Sequence, residues 1–377
     1  MAQKIIVLGA GIVGSAIAVD LKKNGYELTS VDLDPGNLEL LKERHAISTI
    51  CADFMDPSVL QELVKDKDLV IGAAPGALGY RLMEQVILNA KNMVDISFCP
   101  EDYLELDALA KDKGVTIVAD MGVAPGMCNA ILGFHASKME VKSYKCIVGG
   151  LPVKRTWPLE YKSSWSPIDC IEEYTRPARY MQNGVVVTKA ALSDPVLVDF
   201  DEVGTLEEWN SDGLRSLLKT MKHIPNMIEK TLRYPGTINY LKALRELGYF
   251  SYEAIKVNGT MVRPIDLTAK LLFPLWKLDK GEEEYTIMRV TISGSEKNKP
   301  VNFQYDLYDH YSAETETLSM ARTTGYTCSG VAVMMLKGMI GTKGVLAPEH
   351  IGGNTSNFHY LMNYLEERAV KYRVSKS

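Results

Sequence analysis

The segment that most constrains the fold lies at the start of the chain, where an apolar run leads into three closely spaced glycines. Residues 4–8 read Lys-Ile-Ile-Val-Leu, and the pattern Gly-x-Gly-x-x-Gly follows at once. A strand that turns into a helix through this pattern is typical of dinucleotide-binding folds. Gly9 permits the tight turn, Gly11 leaves room for a pyrophosphate, and Gly14 lets the helix lie close to the strand. We therefore predict five cofactor-binding positions here: Gly9, Gly11, Ile12, Val13 and Gly14.

The end of the second predicted strand, residues 27–32, indicates which cofactor is bound. Asp32 follows the glycine turn at about the 20-residue distance at which this fold places an acid on the adenosine ribose. A carboxylate there accepts hydrogen bonds from the ribose hydroxyls and repels a 2′-phosphate. Residues 33–41 contain no Arg or Lys, so the usual phosphate clamp is absent. The sequence predicts NAD, not NADP.

Short apolar runs alternate with helical segments over the first third of the chain. This alternation predicts a parallel sheet covered on both faces, and six strands complete a doubly wound, Rossmann-type α/β fold. The predicted strands span residues 4–8, 27–32, 47–51, 68–73, 93–97 and 115–119. The predicted helices span a segment ending at Lys23, then residues 36–44, a segment opened by Asp56-Pro57, and residues 79–89 and 104–113.

Ligands of open α/β sheets bind outside the carboxyl ends of the strands, which adds further cofactor positions. We predict that Asp53, after strand three, meets the adenine. The loop after strand four is predicted to meet the nicotinamide ribose, and strand five adds one more residue. These positions are Ala74, Pro75, Gly76 and Ser97. An ordinary turn explains Pro75-Gly76 equally well.

After about Gly126 the sequence changes to alternating segments that predict a second, α+β domain for substrate binding and dimerisation. A hairpin is predicted at residues 179–182 and 185–188 around Asn183-Gly184, and another at 285–293 and 301–308 with residues 294–300 as its turn. Predicted helices span 213–222, 237–247 and 318–339. We expect a Rossmann domain at 1–126, the inserted domain at 127–314, and C-terminal helices at 315–377 that return to the Rossmann domain.

Several motifs, together with the glycine turn, resemble the saccharopine dehydrogenase family over nearly the whole chain. They are residues 120–129 (DMGVAPGMCN), 165–167 (WSP) with 172–179 (EEYTRPAR), 212–215 (DGLR), 231–236 (TLRYPG) and 319–326 (SMARTTGY). Within that family the sequence is most similar to lysine 6-dehydrogenases. This resemblance implies NAD-dependent oxidative deamination of the ε-amino group of L-lysine, with release of ammonia and cyclisation of the aldehyde.

One departure from the family leaves the substrate open, because several members have His where this chain has Thr237 after the Pro-Gly. Saccharopine and carboxynorspermidine are the alternative substrates within the family. A module that binds NAD as a sensor, without catalysis, is the alternative outside the enzymes, since a fold does not fix a function.

An amino-acid substrate carries a carboxylate, and the planar guanidinium of Arg binds carboxylates through two hydrogen bonds. Arg233 ranks first because it lies in the most specific motif. A surface ion pair with Glu172 or Glu173 is the plainer interpretation of any one arginine. The predicted substrate-binding residues are Arg176, Arg179, Arg215, Arg233, Trp165 as an aromatic wall, and Thr237.

Amine oxidation requires a neutral amine, so the site must accept a proton from a group whose ordinary pKa is about 10.4. Asp120, at the end of strand six, is the predicted base. It could instead only cap the following turn. His223 is the second candidate, although a histidine on a polar loop more often faces solvent.

The overall composition excludes several partners. The chain has 42 Lys+Arg and 47 Asp+Glu, a net charge of −5 without runs of like charge, which argues against nucleic acid. The N-terminal apolar run contains three glycines and is too short for a membrane span, so we predict a cytoplasmic protein without membrane contact. Six scattered cysteines and six histidines predict free thiols and no metal.

The sequence also leaves room for self-association. Edge strands of the second domain, or an apolar stripe at Tyr360-Leu361 and Tyr364-Leu365, predict a homo-oligomer, a dimer or larger. The stripe could equally pack on its own domain.

Overall fold

The computed structural model of the protein describes residues 3–377, which form two compact units. Unit 1 comprises the chain up to Glu140 together with Met320–Lys371. Unit 2 comprises Val141–Ser319 and Tyr372–Ser377. Unit 2 therefore interrupts unit 1 in the sequence. Within residues 3–377, no helix combines the length and the apolar character needed to cross a membrane.

The strands and helices alternate first regularly and then irregularly along the chain. The strands are β1 Lys4–Leu8, β2 Glu27–Asp32, β3 Ser48–Cys51, β4 Leu69–Gly72, β5 Met93–Asp95, β6 Thr116–Val118, β7 Glu140–Pro152, β8 Ala178–Gln182, β9 Val185–Lys189, β10 Val196–Phe200, β11 Gly204–Asn210, β12 Asn226–Arg233, β13 Ile255–Val257, β14 Thr260–Val262, β15 Glu284–Glu296, β16 Lys299–His310, β17 Gly344–Leu346 and β18 Tyr372–Lys376. The helices are α1 Ile12–Lys23, α2 Pro35–His45, α3 Pro57–Val64, α4 Gly76–Leu88, α5 Asp107–Asp112, α6 Met127–Ala136, α7 Pro167–Thr175, α8 Leu217–Thr220, α9 Thr237–Glu246, α10 Pro264–Trp276, α11 Ser319–Leu336, α12 Pro348–Gly353 and α13 Thr355–Glu366. A 3₁₀ turn, Tyr103–Leu106, precedes α5.

Unit 1 is built on a parallel sheet with the strand order β17-β6-β5-β4-β1-β2-β3. The six predicted strands take the 3-2-1-4-5-6 order of a doubly wound fold, and the predicted fold class is confirmed. The seventh strand, β17, pairs in parallel with β6 and was not predicted. Its three residues follow Gly341–Lys343, and so short a segment carries no readable period.

Helix starts in unit 1 follow from local chemistry. The Asp34 side chain accepts a hydrogen bond from the Gly36 amide at 2.8 Å and caps α2. Asp56 caps α3 in the same way through the Ser58 amide, also at 2.8 Å. In both helices Pro occupies the first turn, where the missing N–H costs nothing. The predicted opening at Asp56-Pro57 is confirmed.

Unit 2 contains a nine-stranded sheet with the main order β10-β11-β12-β7-β15-β16-β18, to which the β8–β9 hairpin is attached through β12. The predicted hairpin at Asn183-Gly184 is confirmed, with φ of 51° and 78° at these residues. The second hairpin is longer than predicted. Its turn is Lys297-Asn298, both with positive φ, and most of the predicted turn 294–300 is strand.

Two further predictions for this part of the chain are corrected. The predicted helix 213–222 is reduced to α8, because Arg215 has a φ of 47° that breaks a helix. Strand β18 pairs antiparallel with β16 in unit 2, and residues 315–319 also belong to unit 2, so the predicted return of 315–377 to the Rossmann domain holds for Met320–Lys371. The first part of unit 1 extends to Glu140, beyond the predicted boundary at 126.

The C-terminal helices fix α1 within unit 1. Tyr364 donates a hydrogen bond to Asp20 of α1 at 2.6 Å, and Arg368 pairs with the other Asp20 oxygen at 2.6 Å. Leu361 and Leu365 are fully buried. The apolar stripe of α13 therefore packs on its own unit.

Helices α6 and α12 touch through two glycines, which generates a testable prediction. A Cβ on Gly133 would lie 2.1 Å from the Glu349 carbonyl oxygen, and one on Gly352 would lie 1.9 Å from that of Ala130. Gly133→Ala should lower the free energy of unfolding by about 1–3 kcal/mol, although Ala is the better helix former. Denaturant unfolding measures this change. The control Gly341→Ala, with nothing within 4 Å, should stay within about 0.5 kcal/mol; equal effects of both variants would contradict the prediction.

Candidate functional site

The glycine turn of unit 1 has the shape that a pyrophosphate requires. Gly9 has a φ of 110°, and its Cβ would lie 2.3 Å from the Ala73 carbonyl oxygen. A Cβ on Gly14 would lie 2.1 Å from the Gly9 oxygen, so both positions exclude any side chain. A Cβ on Gly11 would meet nothing within 4 Å. Open space therefore lies at the N-terminus of α1, where the free N–H groups attract anions, and this geometry fits a dinucleotide.

Asp32 lies at the end of β2, next to the glycine turn. Its Oδ2 accepts a hydrogen bond from the Ala10 amide at 2.6 Å, and its Oδ1 accepts one from the Asp34 amide at 2.8 Å. An ionised carboxylate has about four acceptor positions, so both oxygens keep capacity for ribose hydroxyls. The carboxylate thus ties the turn to β2 and remains suited to bind a ribose.

The other predicted cofactor residues lie at the carboxyl edge of the same sheet. Asp53 is exposed, and its Oδ1 accepts from the Met55 amide at 2.9 Å. Pro75 is the exposed N-cap of α4, with Ala74 and Gly76 buried beside it. Ser97 is only 3% exposed, and its hydroxyl donates to Asp95 at 3.0 Å, so it serves the interior of the fold. Their contacts with a cofactor stay predictions.

Asp120 follows β6 in a strained, buried turn. It is 2% exposed and has a φ of 55°, a left-handed conformation that side chains rarely adopt. The Met121 amide donates to the Asp95 carbonyl at 2.9 Å, which fixes the turn to β5. Gly126 closes it, because a Cβ there would lie 1.9 Å from the Gly122 oxygen. Such strain costs about 1–3 kcal/mol and concentrates at functional sites.

The structure adds residues of unit 1 that sequence reasoning missed. The buried Asp95 carboxylate accepts from the Ser97 amide at 2.8 Å at the end of β5. Helix α11 passes the Asp120 turn, where a Cβ on Gly122 would lie 3.2 Å from the Thr324 methyl group. Gly325 lies against α1, since its Cβ would be 3.5 Å from the Val13 oxygen. In the sequence, the small residues Thr324-Gly325 within an apolar helix were the feature that could have indicated these close contacts of α11.

Three of the four predicted arginines come together in unit 2. Arg179 binds Asp212 through two hydrogen bonds, Nε to Oδ1 at 2.9 Å and Nη2 to Oδ2 at 2.8 Å. Burial, and then the nearby Arg215 guanidinium, lower the pKa of Arg176. Arg215 is 9% exposed and has positive φ. We call Arg176, Arg179 and Arg215 the arginine cluster. Adjacent cations of this kind favour an anionic ligand.

Arg233, ranked first from the sequence, lies in a different environment. It is 2% exposed and donates to the Glu173 carboxylate at 3.1 Å and to the Tyr174 hydroxyl at 3.1 Å. Its guanidinium also lies over the Tyr161 ring, 4.2 Å from the centroid. Burial raises the pKa of Cys170, beside Tyr161, to about 12, so its thiol stays neutral. Arg233 thus anchors α7, and its role as a substrate ligand stays a prediction.

The three remaining predicted residues of unit 2 differ in burial and in their contacts. Thr237 is 3% exposed, and its hydroxyl donates to the Leu159 carbonyl at 3.0 Å. Trp165 is partly buried and packs against the core of unit 2. His223 is exposed after α8. The first two residues have evident structural roles, and none of the three is assigned a ligand by these contacts.

The comparisons with known proteins agree with this architecture. Residues 5–118 match the family profile described as the saccharopine dehydrogenase NADP binding domain, and residues 120–370 match that of the saccharopine dehydrogenase C-terminal domain. The protein therefore belongs to the saccharopine dehydrogenase family. The predicted family resemblance is confirmed, while the narrower similarity to lysine 6-dehydrogenases stays a prediction.

Individual relatives are 28% identical to this chain over the aligned residues. Mitochondrial alpha-aminoadipic semialdehyde synthase from Mus musculus is 28% identical over 278 residues, which cover 70% of this chain and 30% of that protein. Saccharopine dehydrogenase [NADP(+), L-glutamate-forming] from Pyricularia oryzae is 28% identical over 267 residues, 67% of this chain and 59% of that one. This chain thus spans less than two thirds of the length of these relatives.

A solved structure supports the same fold. Apo saccharopine dehydrogenase (L-Glu forming) from Saccharomyces cerevisiae aligns over 100% of both chains with a TM-score of 0.79 and 19% sequence identity. At this identity the match establishes the fold, namely a parallel-sheet nucleotide-binding domain with a second, mixed-sheet domain.

The Arg233 anchor generates a prediction about stability. Arg233→Met removes the cation that pairs with the largely buried Glu173 carboxylate. This change should lower the free energy of unfolding by about 3–5 kcal/mol. Adding Glu173→Gln should recover part of this loss, because the unpaired charge disappears. Denaturant unfolding of the single and double variants measures both effects. An Arg233→Met protein of unchanged stability would show that Arg233 does not anchor α7.

Proposed function

We propose that this protein is an amino-acid dehydrogenase that oxidises the secondary amine of saccharopine, after which water cleaves the C=N bond and releases L-glutamate. The observation that carries this proposal is the arginine cluster of unit 2. The relatives from Mus musculus and Pyricularia oryzae, and the family profiles over both parts of the chain, support the same substrate class.

The substrate requires several cationic partners, because saccharopine has an amino-acid group at each end. Arg179 is already neutralised by Asp212, whose side chain is 2% exposed. Arg176 and Arg215 are the residues proposed to bind substrate carboxylates, because each guanidinium has the planar geometry suited to two parallel hydrogen bonds. Since the pKa of Arg176 is lowered by burial and by Arg215, a bound carboxylate would relieve the repulsion between the two cations.

We assign the proton transfer to Asp120. A bound nicotinamide cofactor would supply the hydride acceptor. The amine nitrogen must lose a proton before its lone pair can assist departure of the hydride from carbon. A carboxylate held in the strained turn after β6 is suited to take that proton, because its position is fixed before the substrate arrives. This assignment rests on the φ of 55° and the burial of Asp120.

NAD is the proposed cofactor, although the matched profile is described as an NADP binding domain. The support is the Asp32 carboxylate beside the glycine turn, which would repel a 2′-phosphate, and the absence of Arg and Lys from residues 33–41.

Lysine 6-dehydrogenase is the second candidate function, and one observation favours it. L-lysine has one carboxylate, so it needs fewer cations than saccharopine, and Asp212 already occupies Arg179.

A two-by-two assay tests the proposed function. Purified protein receives saccharopine or L-lysine, each with NAD or NADP, while reduced cofactor is followed at 340 nm. We expect turnover with saccharopine and NAD, with NADP at least about 10-fold less efficient, corresponding to about 1.4 kcal/mol. Lysine-dependent NADH formation without saccharopine activity would transfer the assignment to lysine 6-dehydrogenase. Binding of NAD without turnover of either substrate would favour the sensor module.

The arginine cluster generates a separate prediction. Arg215→Gln should raise KM for saccharopine about 10- to 100-fold, because a charge-assisted hydrogen bond to carboxylate is worth about 1.5–3 kcal/mol. The control Arg263→Gln removes an arginine of unit 2 that is 53% exposed and paired with Asp266. KM for NAD should change little in either variant. An unchanged KM for saccharopine in Arg215→Gln would remove this residue from the binding site.

A further inference from the structure

Asp95 is a buried carboxylate at the end of β5 that the proposed mechanism does not use. Its Oδ1 accepts a hydrogen bond from the Ser97 amide at 2.8 Å, and its Oδ2 accepts one from the Ser97 hydroxyl at 3.0 Å. A side chain that bonds to the amide two residues ahead forms an Asx turn, which restricts the backbone between the two residues. The two bonds therefore fix the direction of the main chain from Asp95 to Ser97.

Two glycines leave the space that the Asp95–Ser97 pair occupies. Gly72 lies opposite Asp95 in the pairing of β4 with β5, and a Cβ on Gly72 would lie 2.0 Å from Asp95 Oδ2. A Cβ on Gly79, in the first turn of α4, would lie 2.8 Å from the Ser97 hydroxyl oxygen. Neither position accepts a side chain unless the pair moves. The pair is therefore built into the carboxyl ends of β4 and β5 and the start of α4.

The main chain of Asp95 also holds the turn that carries the proposed base. Its carbonyl oxygen accepts a hydrogen bond from the Met121 amide at 2.9 Å. Met121 directly follows Asp120, whose φ of 55° is strained. A strained conformation persists only where the surrounding structure restrains it. The Asp95 carbonyl is such a restraint, and the side-chain bonds to Ser97 fix the direction in which this carbonyl points.

We propose that Asp95 is a positioning residue, which holds the Asp120 carboxylate where the amine can reach it. This inference rests on the proposed function, in which Asp120 takes the proton from the amine. Because Asp95 is fully buried, it acts through the Met121 amide. A reacting group displaced by about 1 Å can cost about 100-fold in rate, so loss of this restraint should lower kcat. Binding of NAD should change less, because the glycine turn and Asp32 lie at the ends of β1 and β2.

Three variants of Asp95 test this role, with whichever amine the wild type oxidises in the presence of NAD, saccharopine or L-lysine. Asp95→Asn can accept from the Ser97 amide and donate to the Ser97 hydroxyl oxygen, so kcat should stay within about 3-fold of the wild type. Asp95→Ser keeps a weaker bond to the Ser97 amide, and Asp95→Ala keeps neither bond. We expect kcat to fall about 10-fold in the Ser variant and about 100-fold in the Ala variant, with the Kd for NAD changed less than about 3-fold. The Ser variant carries the comparison if the Ala variant does not fold.

Asp20→Ala is the matched control, because Asp20 is a second buried carboxylate of unit 1. Its oxygens accept hydrogen bonds from Tyr364 and Arg368 at 2.6 Å each, near the C-terminal end of α1 and away from the carboxyl edge of the sheet. All activities are measured at a temperature at which circular dichroism shows each variant to be folded. Asp20→Ala should lower the free energy of unfolding and leave kcat within about 2-fold of the wild type. Equal losses of kcat in Asp20→Ala and Asp95→Ala, an unchanged kcat in Asp95→Ala, or a loss in Asp95→Asn as large as in Asp95→Ala would overturn the proposal.

Hydrogen exchange tests the same restraint without turnover. Rates are compared with that of the Val7 amide in the central strand β1, which reports global unfolding. On this scale the Met121 amide should exchange at least about 10-fold faster in Asp95→Ala than in the wild type, and at the wild-type rate in Asp20→Ala. A wild type that oxidises neither amine would refute the proposed function, and the exchange rates would then decide alone whether Asp95 restrains the Asp120 turn. An unchanged exchange rate of Met121 in Asp95→Ala would overturn the inference in either case.

Discussion

Unit 1 depends on the close backbone contact between the glycine turn and the loop after β4. Gly9 and Gly14 allow α1 to approach β1 and Ala73 to distances that no side chain permits. The position of α1 then determines what packs on it. Gly325 brings α11 against α1 from one side, and the Asp20 carboxylate receives hydrogen bonds from α13 and from Arg368 at its far end. The same contact that forms the phosphate cradle therefore also organises the C-terminal third of unit 1.

The arginines of unit 2 have two distinct environments, which differ in the groups that surround each guanidinium. Arg233 is enclosed by Tyr161, Tyr174 and Glu173, so its charge is satisfied within the protein. Burial, and then the nearby Arg215 guanidinium, lower the pKa of Arg176, whereas Asp212, Glu172 and Asp169 raise it. The first arrangement stabilises α7, and the second favours an anionic ligand. Because α7 leads directly into Arg176, the anchor and the cluster belong to one local structure.

The sequence predicted the six central strands well because parallel strands buried on both faces are continuous apolar runs. It missed β17, which has three residues, and β18, whose residues are mostly exposed. It made the β15–β16 turn too long because residues 294–300 are a polar stretch, whereas only Lys297 and Asn298 adopt the positive φ that forms it. For the site, the motifs suggested four arginines and ranked Arg233 first, but they could not reveal its enclosure, which depends on residues up to 72 positions away in the chain, such as Tyr161.

Asp32 and the arginine cluster lie in different units, Asp32 in unit 1 and the cluster in unit 2. In the proposed function the carboxylate at the end of β2 would meet the adenosine end of the cofactor and the cluster would meet the substrate, and nothing physical couples a preference for NAD to a particular amine. An enzyme with the substrate class of its saccharopine relatives and the opposite cofactor preference is therefore chemically consistent. Because oxidised NAD and NADP have the same nicotinamide ring, a carboxylate that met the ribose would change cofactor binding there and would leave the hydride chemistry at the other end of the cofactor unaltered.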